Sequence, residues 1–248
     1  MNVGEIKYYS HSSKTKCVFV DNKELPLICI DVWCKAGSSF EQKHKNGSAH
    51  LLEHMIFKGS NTIMPGEFDY KIESLGGISN ASTGYDDAHY YVLIPSINFK
   101  ESLALLTNLV LTPSININEF NLEKTVVIDE IKQQNDQPDE KLFNYFLSRV
   151  WISEYYKSPI LGNEKDIELL KIHDLEKFHR YQYNHENICL AIAGNLSNYI
   201  YDAVEETNIS YISNSLKLDD NNKNKSLIIR QGREEITFKN IKFSRIFI

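Results

Sequence analysis

The strongest constraint on folding is the order in which the apolar pattern changes its period along the chain. Residues 16–20 and the Ile/Val-rich residues 25–34 read as strands separated by the turn-like Asp21-Asn22-Lys23. Gly37-Ser38-Ser39 breaks that run, and a helix fits residues 47–57 with Gly59 as its stop. Residues 67–75 read as a second helix because Phe68, Ile72 and Leu75 recur at helical spacing, and Gly76-Gly77 ends it. Residues 79–94 read as a long strand or a hairpin kinked at Gly84. From 98 to 146 the pattern is helical in at least three pieces. One stripe carries Leu103, Leu106 and Val110, another carries Val126, Val127 and Ile131, and a turn at 136–139 interrupts them. Helical stretches near 166–170 and 174–181 precede an apolar strand at 188–193. Strands, then helices, then a strand, with no regular βαβ alternation, predict an α+β domain.

The remainder reads differently. Residues 216–226 are polar and rich in Asn, Lys and Asp, which predicts a linker, set at 216–233. Residues 234–248 alternate as a strand through Ile236, Phe238, Ile241, Phe243 and Ile246. A lone trailing strand has little to pair with, so the expected organisation is one domain over 1–215, the linker, and the first strand of a second, truncated domain. A chain of 248 residues is long enough for that arrangement.

Composition excludes little but points consistently. With 27 Lys and Arg against 33 Asp and Glu, the net charge of −6 argues against a nucleic-acid partner, because phosphate binding needs a basic surface. Cys17, Cys29, Cys34 and Cys189 form no CxxC pair, so buried thiols in a reducing compartment are expected rather than a zinc–thiolate site. The first nine residues have no signal-peptide pattern, and no run of 18 apolar residues occurs, so no membrane span is expected and the default location is cytoplasmic.

Chemistry concentrates in Ala49-His50-Leu51-Leu52-Glu53-His54-Met55. On a helix, His50 and His54 leave the same face one turn apart, and two such imidazoles can reach a common zinc at about 2.0–2.1 Å. Glu53 lies beside them, where its carboxylate can reach water at the metal. This is the H-x-x-E-H arrangement. Its bland alternative is a helix with two exposed histidines and an incidental glutamate. A catalytic zinc needs a third protein ligand, and the segment 123–131 offers Glu123 and Glu130, seven residues apart on one helix face. From spacing alone, that pair reads equally as a solvated face, and nothing in the spacing brings it to the histidine helix.

Taken together, these motifs resemble the insulinase-type zinc peptidases, and among them the shorter bacterial proteins similar to mitochondrial processing peptidase. The similarity runs from about Asp31 to Asn195. Trp33 to Glu41 resembles the strand and turn before the family's metal helix. Gly47 to Ser60 matches G-x-A-H-x-L-E-H-M-x-F-K-G-T, with Ser60 in place of Thr. Gly76-Gly77 with Asn80-Ala81-Ser82-Thr83 resembles G-G-x-x-N-A-x-T, and Glu123 to Ile131 matches E-x-x-V-V-x-x-E-I.

The resemblance implies a mixed, largely antiparallel sheet packed against helices. It also implies a zinc endopeptidase carrying one zinc per chain. The third ligand is implied to be Glu130, which follows His54 by 130 − 54 = 76 positions, with Glu123 as its supporting glutamate. Glu53 is the implied general base. Asn80, Ala81 and Ser82 lie on the implied edge strand, to which a peptide substrate adds. Family members close two homologous halves around the substrate, so a second domain or subunit is an implied partner for full activity. The competing expectation is a non-catalytic binding or assembly subunit of a two-subunit processing peptidase.

Overall fold

The structure is a computed structural model that describes residues 4–152, 154–212, 230 and 232. The strands among the described residues are Ile6–Ser10 (β1), Lys16–Asp21 (β2), Leu27–Cys34 (β3), Ile78–Thr83 (β4), Ala88–Pro95 (β5) and Ile188–Gly194 (β6). The α-helices among the described residues are Ser48–Phe57 (α1), Glu67–Ser74 (α2), Phe99–Leu111 (α3), Ile117–Asp136 (α4), Pro138–Val150 (α5), Glu164–Leu169 (α6), Ile172–Gln182 (α7) and Ile200–Glu205 (α8). The strands form one sheet in the order β1-β2-β6-β3-β5-β4. Among the described residues only β2 and β6 pair in parallel; the other pairings are antiparallel. The fold is therefore α+β with a mixed, largely antiparallel sheet, as expected. No described helix is long and apolar enough to cross a membrane.

Strand alternation decides where the core lies. Ile28, Ile30, Val32 and Cys34 of β3 and Ala88, Tyr90, Val92 and Ile94 of β5 point to the helices, each at most 1% exposed. The opposite face of these strands stays half-exposed, and there Trp33 stacks on His89 with ring centroids 4.3 Å apart and planes 8° apart. Helix α1 buries Leu51, Leu52, Met55 and Ile56 completely. At about 1.5–3 kcal/mol for each fully buried side chain of this size, that face fixes how α1 is rolled. His50, Glu53 and His54 are left on the other side.

The start of α1 is locked by two close backbone approaches. Gly47 has φ of +90° and a Cβ there would lie 2.5 Å from Leu161 O; Gly162 has φ of +78° and its Cβ would lie 2.4 Å from Asn46 O. Only glycine fits either position without displacing backbone.

Four expectations need correction or addition. Strand β1 was not legible, because it pairs only with β2 and keeps most of its side chains exposed. The strand expected over 25–34 is β3 and begins at Leu27, since Leu25 is 63% exposed and precedes Pro26. Val126 is 38% exposed, whereas Val127 and Ile131 are buried, so the core stripe of α4 is narrower than three residues suggest. No turn spans 136–139: the single extended residue Gln137 (φ −87°, ψ 114°) separates α4 from α5. Pro138 opens α5, where a missing N–H costs nothing. The expected linker and trailing strand lie outside the described residues, apart from Arg230 and Gly232.

Candidate active site

Helix α1 begins on a carboxylate. Glu41 accepts from Gly47 N–H (2.9 Å) and Ala49 N–H (2.8 Å), two donors that the first turn leaves without helical partners. One turn further on, His50 and His54 project together, with ring centroids 4.7 Å apart. Helix α4 packs alongside and carries Glu130 to them. Glu130 Oε2 lies 3.8 Å from Nε2 of His50 and 3.8 Å from Nε2 of His54. The three potential ligand atoms all lie within 4.8 Å of one another. The structure thus brings together residues that spacing alone did not connect.

This donor set fits zinc. A tetrahedral ion with bonds of about 2.0–2.1 Å holds its ligands roughly 3.4 Å apart, and the Glu130 oxygen lies 3.8 Å from each imidazole nitrogen. Burial, and secondarily the neighbouring His54, push the His50 imidazole down to a pKa of about 4, so it is neutral and able to donate a lone pair. The side chains keep 15%, 19% and 38% exposure for His50, His54 and Glu130, which leaves an open side to the site.

Glu123 stands behind His54 rather than beside Glu130. Its Oε2 lies 2.9 Å from His54 Nδ1, and its Oε1 lies 2.8 Å from Lys58 Nζ. Burial alone would raise this carboxyl, but Lys58 and His54 outweigh it and hold the pKa below the usual carboxylate range. With Nδ1 engaged by Glu123, the ring of His54 turns Nε2 toward Glu130.

Glu53 lies on the sheet side. Its Oε2 accepts from Thr83 Oγ1 at the end of β4. Burial raises the Glu53 pKa, while the Thr83 hydroxyl and His54 partly offset it.

Strand β4 ends the sheet, and no other described strand lies outside it. Gly84 N–H donates to Asp87 O (2.7 Å). In that register Ser82 and Asn80 bond to β5, and the backbone groups of Thr83, Ala81 and Ser79 point outward. Consistent with this, Ala81 N–H takes Asn80 Oδ1 at 2.9 Å. The side chains of Asn80 and Ser82 are exposed on the face away from α1. Of the three edge positions expected to meet substrate, Ala81 therefore offers outward backbone, and Asn80 and Ser82 offer side chains.

Three contributors had no assigned role in the sequence reading: Thr83, Lys58 and Glu41. Each falls inside a quoted motif, and Lys58 follows His54 by four residues, which puts it on the same helix side. His89 stacks on Trp33 and lies 3.2 Å from Asp31 Oδ1 on the far face of the sheet.

Residues 17–164 match the family described as Insulinase (Peptidase family M16). The chain belongs to this family of peptidases. It is 34% identical over 169 residues to an uncharacterized zinc protease of Rickettsia bellii, covering 68% of this chain and 41% of that protein. It is 31% identical over 172 residues to the zinc protease PqqE of Helicobacter pylori, covering 69% of this chain and 39% of that protein. Its fold superposes on the crystal structure of a protease from Helicobacter pylori with a TM-score of 0.82 and 27% identity, covering 87% of this chain and 52% of the other. The chain spans about half the length of these relatives or less.

Proposed function

We propose that the chain is the metal-binding part of a zinc-dependent endopeptidase, in which His50, His54 and Glu130 hold one zinc and Glu53 is the general base. One observation carries this reading: the three ligand atoms converge within 4.8 Å beside the half-buried carboxylate of Glu53, at the end of a strand with an open edge. When bound, zinc supplies Lewis-acid charge that acidifies water and favours negative charge on a carbonyl oxygen.

The chain's own groups do the rest. A peptide adds to β4 as a further strand, pairing with the outward N–H and C=O of Ala81 and its neighbours, and Asn80 releases Ala81 N–H to do so. Thr83 joins the end of β4 to Glu53, so the scissile carbonyl of the added strand comes to rest within reach of that carboxylate. Glu53 takes a proton from the attacking water and returns it to the leaving amine. Its raised pKa suits a group that must both accept and donate. Glu123 keeps His54 oriented. A second homologous domain or subunit closes the cleft, a proposal supported by the relatives being about twice the length of the matched part.

The completeness of the His50, Glu53, His54 and Glu130 set argues against a non-catalytic assembly subunit. The test is cleavage of a fluorogenic peptide library by the purified chain and by Glu53→Gln, with zinc measured in both. The proposal expects zinc in both proteins, with the library cleaved slowly by the wild type and about 10²–10⁴-fold more slowly by Glu53→Gln. Zinc bound without cleavage of any peptide would favour the assembly-subunit reading.

A further inference from the structure

We propose that Lys58 is a positioning residue of the metal centre: its ammonium anchors one oxygen of Glu123 so that the other oxygen holds His54. This inference rests on the zinc reading above. Lys58 is the residue that ends α1, four positions past His54, and both side chains leave the helix toward α4. Lys58 Nζ lies 2.8 Å from Glu123 Oε1, and His54 Nδ1 lies 2.9 Å from Glu123 Oε2. Each oxygen therefore has its own partner, and any rotation of the carboxylate breaks both contacts together. The Glu123 side chain is only 6% exposed, so water has little access to replace either partner. An imidazole that ligates through Nε2 depends on what grips its Nδ1, and here that grip is itself held by an ion pair.

A simpler role competes. A lysine at a helix C-terminus interacts favourably with the helix dipole whatever Glu123 does. The two roles differ in what they couple to. A cap acts on folding alone, whereas an anchor acts on metal affinity and only through Glu123.

The experiment is a double-mutant cycle read as zinc affinity, by competition with a chromophoric chelator, on the whole chain. Lys58→Met is expected to weaken zinc binding about tenfold, the lower end of what lost support behind a ligand costs. Lys58→Arg, which keeps the cation, is expected to restore much of that affinity. In a Glu123→Gln background, Lys58→Met is expected to change affinity by less than about twofold, because the anchored carboxylate is already gone. Should Lys58→Met fail to fold, Lys58→Gln takes its place in the cycle, with the same expectations. Unchanged affinity in the single variant overturns the proposal, as does an equal loss in both backgrounds. A wild-type chain that takes up no zinc overturns the function proposed above, and this inference with it.

Discussion

Glu41→Gln tests how the start of the metal-bearing helix is held. The Glu41 carboxylate accepts the N–H groups of Gly47 and Ala49. Part of the residue reaches solvent, but the carboxylate itself is enclosed. Burial, aided by nearby Asp166 and opposed by the two N–H donors, pushes its pKa from 4.5 up to about 8. Because the folded-state value is raised, the folded protein keeps a proton that the unfolded chain releases. Its contribution to stability is full below pH 4.5 and is lost as the pH rises to about 8. Each unit within that window is worth about 1.4 kcal/mol, so moving from about pH 6 to about pH 9 crosses two units of it and removes roughly 2–3 kcal/mol. Glutamine keeps one acceptor oxygen and does not titrate. Thermal unfolding of both proteins in the presence of a chelator, so that metal binding adds nothing, reads the difference. At roughly 2–4 °C per kcal/mol for a chain of this size, Glu41→Gln should gain about 5–10 °C on the wild type between the two pH values. A Tm difference that is the same at both, or that moves the other way, refutes the enclosed-carboxylate account.

Other consequences follow from the packing and the open edge. Ala81→Pro removes an outward N–H without touching the pairing to β5. Peptide KM is therefore expected to rise about tenfold, the value of one backbone hydrogen bond, while circular dichroism is unchanged. Gly47→Ala forces a Cβ to within 2.5 Å of Leu161 O at φ +90°, whereas Gly66→Ala, at φ +77°, meets nothing within 4 Å. Denaturant titration should show the first costing clearly more than the roughly 1–2 kcal/mol of left-handed strain that both share. Leu52→Ala empties a fully buried site on α1 and should cost about 2–5 kcal/mol in the same titration.

The legible part of this molecule was local. The helix around His50 and His54 follows from four-residue spacing and the glycines that flank it, and the buried sides of β3, β5 and α3 follow from their alternation or their stripe. What stayed hidden depends on contacts distant in sequence. Nothing in the pattern of α4 says that Glu123 meets a histidine 69 residues earlier; the resemblance implied only a supporting role, and the fold supplies the partner. The parallel pairing of β2 with β6 joins segments with no shared local signal. Strand β1 sits at a sheet edge and buries too little to mark its period. Lys58 and Thr83 look like ordinary surface-prone residues until the fold brings a carboxylate to each.

The metal content of the purified chain is the most direct test of the central claim. Wild type reconstituted with zinc and desalted should carry one zinc per chain by elemental analysis. Glu130→Gln, which leaves both imidazoles in place but replaces the carboxylate that lies 3.8 Å from each of them, should retain far less. A wild type without zinc, or a variant that holds it as well, would contradict the convergence of α1 and α4 on one ion.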